Sequence, residues 1–182
     1  VIRPNFAQWR DDLVRCAEEY GAEAVVLHPN YHRFSLVDGA ADGLAELTLT
    51  RRMLVCIQAS LEDVRRQFDR EIVPDVPPEE IGAFARRHPA LTVVALGLKF
   101  GQPERMGEPL PPNLYFDTSN YEKMGEMEEA VARFGADRIL FGTNFPLFNI
   151  RANVDKIRLA PLAEEDREAI ARGNAESLLG RP

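Results

Sequence analysis

Short, almost wholly apolar runs alternate along this chain with segments whose apolar residues recur at helical spacing, the pattern of a parallel sheet covered by helices. The runs predict five strands, at residues 24–27, 53–57, 91–96, 114–116 and 138–141. A first helix is expected after Asn5, carrying Trp9, Leu13, Cys16, Ala17 and Tyr20 and stopping at Gly21. A weaker second one runs through Leu44 and Leu47. Ser60, with Glu62 and Asp63 in the following turn, predicts a third helix whose apolar face is Val64 and Phe68, joined to the second strand by a sharp loop at 58–60. Pro77-Pro78-Glu79-Glu80 opens the fourth and His88-Pro89 closes it, which leaves His88 a C-terminal capping residue. The fifth covers 121–134 and ends at Gly135. Residues 99–112, punctuated by glycine and proline, read as a long loop. A short helix at 153–159 and a final one at 164–179, with Ile170, Leu178 and Leu179 inward, complete the pattern.

Composition narrows this to one domain over residues 1–182. The 182 residues are 45% hydrophobic and 28% charged, enough to bury a sizeable core. Against 22 Lys and Arg stand 29 Asp and Glu, a formal charge of -7, and the basic residues cluster no further than pairs such as Arg65-Arg66. Nucleic acid is therefore not an expected partner. Cys16 and Cys56 fall in apolar helix and strand positions and are too few for a disulfide framework or a CxxC metal site. No apolar run approaches about 18 residues and the first residues lack a signal-peptide pattern, so a cytoplasmic protein that meets no membrane is expected.

Strand count raises a difficulty. A closed (β/α)₈ barrel needs eight strands and roughly 250 residues. Five strands are legible here, and Val1-Ile2-Arg3-Pro4 resembles the tail of another. The sheet is either open and doubly wound or the C-terminal portion of a barrel.

The stretch from Arg133 to Pro146 then carries chemistry as well as structure. After the strand, Gly142-Thr143-Asn144 places a side chain at the C-terminal tip, where parallel α/β folds keep their ligands. That side chain is an amide, a poor metal ligand and no general base near neutral pH.

Five segments, in order, resemble the "amidohydrolase 2" branch of the amidohydrolase superfamily. They are Leu27-His28-Pro29-Asn30-Tyr31-His32, the second strand followed by Leu61-Glu62-Asp63-Val64-Arg65, Asn113 to Ser119, Phe134 to Pro146, and Gly173-Asn174-Ala175-Glu176 with Leu178-Leu179. The resemblance spans nearly the whole chain. It implies a TIM-type (β/α)₈ barrel, of which this α/β chain is the C-terminal part, about strands four to eight. It also implies a divalent metal, usually zinc, that activates water for hydrolysis or polarises a carboxylated substrate for decarboxylation. Family ligands come from a His-x-His pair on strand one, a histidine on strand five and an aspartate on strand eight, with a further histidine on strand six.

Carried onto this sequence, those positions are nearly all replaced. The strand-five counterpart ends in Gln58, strand six (92–99) has no histidine, strand eight ends in Asn144, and Val26 stands where some members place a lysine. The His-x-His pair has no counterpart between Val1 and Pro182. No metal ligand, and hence no cofactor, is expected from this chain itself.

The remaining candidates are polar residues at strand tips. His28 is a candidate acid or base, since imidazole titrates near neutral pH; its alternative is a loop histidine bonded to backbone carbonyls, the favoured reading for His32. Their spacing of four would place them on one face of a helix, which Pro29 beside a strand argues against. Asp117 is a second candidate catalytic group, or else a turn cap. Asn30, Tyr31, His32, Gln58 and Asn144 are candidate ligand contacts. Glu62, Asp63 and Arg65 read as a solvated helix face.

Two functions are therefore expected. One is an amidohydrolase-type enzyme acting on a small carboxylate, amide, ester or lactone once residues outside this chain complete its site. The other is a metal-free, inactive relative that binds a small molecule or serves assembly. In both, open sheet edges call for a partner, either the missing N-terminal barrel segment or a second copy.

Overall fold

The computed structural model describes residues 1–99 and 101–180. Five parallel strands form one sheet: β1 (Ala24–Leu27), β2 (Leu54–Gln58), β3 (Val93–Leu96), β4 (Leu114–Asp117) and β5 (Ile139–Leu140). Their spatial order is β1-β2-β3-β4-β5. Parallel crossovers are right-handed, so a sheet that always advances in one direction receives all its connections on the same face. This excludes the doubly wound alternative, in which the order reverses and both faces are covered.

The two faces differ accordingly. Val25, Leu27, Val55, Ile57, Val93, Ala95, Leu114, Phe116 and Ile139 point under the helices and are at most 3% exposed. One layer of them, Leu27, Ile57, Ala95, Phe116 and Ile139, follows the register across all five strands. Burying a Val, Leu or Ile side chain contributes about 1.5–3 kcal/mol, so this face anchors the fold. On the other face Val26, Leu54, Cys56, Leu96, Tyr115 and Leu140 are only half-buried, and Val94 at its centre is 2% exposed. Next to β1, the Ile2 amide donates to the Val26 carbonyl at 3.1 Å, which sets Ile2 beside that edge, though no strand forms at residues 1–4.

The covering layer comprises α1 (Trp9–Tyr20), the one-turn α2 (Pro29–His32), α3 (Gly39–Thr50), α4 (Pro78–Arg87), α5 (Glu126–Phe134), α6 (Ile150–Leu159), α7 (Glu164–Glu168) and α8 (Asn174–Leu178). Gly21 ends α1 in the left-handed conformation, as read from the sequence. A π turn at Ala169–Gly173 joins α7 to α8, and the carbonyl of Ile170, its second residue, accepts from the Phe141 amide at 2.9 Å. Asn174 then donates to the carbonyls of Ala136 and Ile139, both at 2.8 Å, tying this end of the chain to β5. Among the described residues no helix is long and apolar enough to cross a membrane.

Three expectations fail for local reasons. The helix expected from Ser60 is absent apart from a 3₁₀ turn at Val64–Arg66. Asp63 bonds the Arg65 amide at 2.9 Å as well as its guanidinium, an i to i+2 turn that competes with helix. Phe68 is 71% exposed rather than inward, and the Val64 side chain lies outside the described residues. The chain does bend at Ala59, within the loop expected at 58–60, where the Ala59 amide donates to the Leu96 carbonyl at 2.8 Å, but the bend leads into no helix. Residues 121–125 are not helical: Glu126 Oε2 accepts from the Glu122 and Lys123 amides, both at 2.9 Å, and closes a turn ahead of α5. The third failure, at His28 to His32, belongs to the site.

Candidate functional site at the strand tips

All five strands point their C-terminal ends to one rim, because they are parallel. At the end of β1, Pro29 does not prevent a helical turn. It takes the first position of α2, where a missing amide hydrogen costs nothing. The His32 amide donates to the His28 carbonyl at 2.9 Å, so the two imidazoles share a face after all, with ring centroids 5.9 Å apart. Tyr31 meets His28 edge-on at 6.4 Å. His28 Nδ1, His32 Nδ1 and the Tyr31 hydroxyl are buried and lack hydrogen-bond partners. Burial lowers both imidazole pKa values, with the neighbouring ring adding to the effect on His28 and Arg3 to that on His32. Both rings are consequently neutral at pH 7. Burial, then the charges of Glu62 and Asp75, raise the pKa of Tyr31.

The other sequence candidates are engaged in the scaffold. Asn30 donates to the Pro74 carbonyl at 2.8 Å and accepts from the Tyr31 amide at 3.0 Å, holding the loop after β2 against α2. Gln58 is 7% exposed and donates to the Ser60 carbonyl at 2.7 Å. Asp117 Oδ1 accepts from the Gly97 amide at 2.8 Å and from the Ser119 hydroxyl at 3.0 Å. Its Oδ2 lies so close to Gly142 that a Cβ there would be 2.2 Å away. Oδ1 thus ties the tip of β3 to that of β4 while Oδ2 packs against Gly142, and burial raises the carboxyl pKa to about 6. Asn144 adopts φ 51°, a conformation Asn tolerates. Its carbonyl accepts from Leu147 and Phe148 while its buried Nδ2 has no partner. His88 caps α4 as expected and shares a 2.7 Å hydrogen bond with Asp42.

A cavity of about 390 Å³ opens beside the tips of β2, β3 and β4, walled by Ser60, Glu62, Lys99, Asn120, Glu126 and Phe148 among others. Sequence reasoning singled out Ser60 and Glu62 of these, but only as the start and solvated face of a helix and not as site residues. The long loop at 99–112 marks Lys99, but nothing in the periodicity separates Glu126 from an ordinary acidic first-turn residue.

The donor set does not fit the divalent metal that the family resemblance implies. Structural and catalytic metal sites gather about three protein ligands. Among the described residues no group of three His, Cys, Asp or Glu side chains comes together to hold one. Where imidazole and carboxylate ligands are implied, the tips offer the amides Gln58 and Asn144 and a third strand, β3, that has no histidine.

Comparison with known proteins agrees with the architecture. The amidohydrolase family profile (Amidohydro_2) matches residues 1–181. Gamma-resorcylate decarboxylase of Polaromonas sp. strain JS666 is 38% identical over 66 residues, which are 36% of this chain and 20% of that protein. Among solved structures, an uncharacterized TIM-barrel protein from Bordetella bronchiseptica superposes with a TM-score of 0.77 at 22% identity, covering 99% of this chain and 63% of that one. Dihydroxybenzoic acid decarboxylase from Polaromonas sp. JS666, determined with bound manganese and the inhibitor 2-nitroresorcinol, gives 0.71 at 17% identity, covering 94% and 65%. The chain thus spans less than two thirds of these structures. With a one-sided parallel sheet, a polar rim at its strand tips and a profile match over almost its whole length, the chain belongs to the amidohydrolase family.

Proposed function

We propose that this chain is the portion of an amidohydrolase barrel corresponding to about strands four to eight, and that it binds a small carboxylate, or a related amide, ester or lactone, at the rim without a metal held by these strands. The half-buried apolar face of the sheet supports the first part, since further strands would cover it, supplied by an N-terminal segment or by another copy. The substitution of amides at the tips, Gln58 and Asn144, carries the second. His28, Tyr31 and His32 are the polar end of the binding site: three buried, unpartnered polar atoms on one turn. A neutral imidazole N–H and a phenol O–H each donate to a carboxylate without requiring a counter-charge to be neutralised first. Neutral near pH 7, His28 is also the candidate acid or base at this rim, although burial makes it a weaker base than a free imidazole. Asp117 is not given that role, because its side chain is buried and its Oδ1 is held by the Gly97 amide and the Ser119 hydroxyl.

A metal-assisted decarboxylase is the second reading, favoured by the 66-residue match to gamma-resorcylate decarboxylase. In that case residues outside this chain supply the ligands.

Ligand-induced stabilisation tests the first reading. 2,6-Dihydroxybenzoate and benzoate are expected to raise the melting temperature, with about 2.7 kcal/mol of stabilisation at a hundredfold excess over Kd. His28→Gln and His32→Gln should each weaken binding by about tenfold, one lost hydrogen bond to a charged group. No shift with either acid, or unchanged affinity in both variants, would remove the basis for the proposal.

A further inference from the structure

Two residues that line the cavity beside β2, β3 and β4 each carry a buried oxygen to which the protein donates no hydrogen bond. Glu126 is 3% exposed. Its Oε2 is occupied by the amides of Glu122 and Lys123, yet Oε1 has no partner. Asn120 donates through Nδ2 to the Gly97 carbonyl at 2.7 Å, which fixes the amide orientation and leaves Oδ1, also buried, as a second unpartnered acceptor. Both residues line the same cavity. Leaving a buried acceptor unsatisfied is costly, and more so when it is charged.

Neighbouring cations have partners of their own, while the charges of Lys156 and Lys123 also reach Glu126. Lys99 pairs with Asp75 at 2.6 Å and Lys123 with Glu129 at 3.3 Å. Lys156, whose charge reaches Glu126, bonds the Tyr121 carbonyl and, at 3.0 Å, Asn153 Oδ1. Glu62 and Glu122 add negative charge to the wall, and Phe148 adds an aromatic surface, which attracts cations through its ring face.

We propose that this cavity takes a protonated amine, with Glu126 Oε1 and Asn120 Oδ1 accepting its N–H hydrogens. The inference rests on the rim-binding function above and specifies the ligand's second end: a small molecule carrying a carboxylate toward His28 and Tyr31 and an ammonium group in the cavity. Glu62 lines the cavity and adds negative charge to its wall.

Calorimetric titration of the 182-residue protein with benzoate, benzylamine and 4-(aminomethyl)benzoate tests this. The aminomethyl acid should bind most tightly and benzylamine measurably. Glu126→Gln keeps an oxygen for the two amides but turns an N–H₂ toward the cavity. It should weaken both amines by about 10-fold to 100-fold and leave benzoate unchanged. Asn120→Ser should weaken them by about 3-fold to 10-fold and serves if the first variant does not fold by circular dichroism. Benzoate binding with no preference for the amines, or amine affinity unchanged in the folded variants, overturns this inference and leaves the rim-binding function standing. Failure of all three probes to bind overturns both.

Discussion

Replacing Gly82 by alanine is expected to destabilise the protein by about 3 kcal/mol or more, beyond the usual range for overpacking because the obstacle is backbone. Alanine normally improves a helix interior by about 1 kcal/mol over glycine. In the middle of α4 that preference is reversed, because a Cβ on Gly82 would lie 1.8 Å from the Met106 carbonyl oxygen and 2.6 Å from its carbon. The segment cannot simply back away. Arg86, one turn later, grips the same oxygen through both terminal nitrogens at 3.1 Å, and Met106 is fully buried. For a domain of this size the melting temperature should fall by roughly 6–12 °C. An unchanged or raised melting temperature would show that the loop between β3 and β4 does not press on α4 as described.

Asp117 should give the second large effect, with a pH signature. Its folded pKa, about 6, lies above its ordinary 3.8 because burial penalises the charge. The folded state therefore holds the proton more tightly than the unfolded state. The stability from this group is complete below about pH 3.8 and is lost as the pH rises through about 6, a change worth about 3 kcal/mol. Asp117→Ala strands the Gly97 amide and should cost about 1–3 kcal/mol near pH 4. That cost should shrink or reverse by pH 8, where the wild-type carboxylate is charged. Asp117→Asn keeps an acceptor for Gly97, abolishes the titration and should flatten the stability profile between about pH 4 and pH 7. Denaturant melts at several pH values read this directly; a pH-independent loss in Asp117→Ala would contradict it.

Much of this architecture is legible in the sequence because the signals are local. The run at 24–27 is β1 as read, Gly21 stops α1, and the Pro77-Pro78 pair opens α4 within a residue. What failed involved side chains that redirect the backbone. Asp63 captures the Arg65 amide and replaces a helix, while Glu126 captures two amides and shortens another. Pro29 was read as a barrier to helix when at the first position of α2 it favours one. Strand order cannot be read from periodicity at all, since it depends on which face receives each crossover.

The site divides in the same way. Residue identity alone reveals the amides Gln58 and Asn144 at strand tips, and position alone flags His28. That Asn30, Gln58 and Asp117 are bound into the scaffold is visible only from their partners. Glu126 and Asn120 are ordinary in sequence; what marks them is a buried oxygen with nothing bonded to it.

The central claim, that these strand tips form a binding rim without holding a metal, is tested most directly by elemental analysis of the purified 182-residue chain after exposure to zinc and manganese and removal of loosely bound ions. Expected is far less than one equivalent of either, with small-acid binding intact. About one equivalent retained per chain, and released by Gln58→Ala or Asn144→Ala, would contradict it.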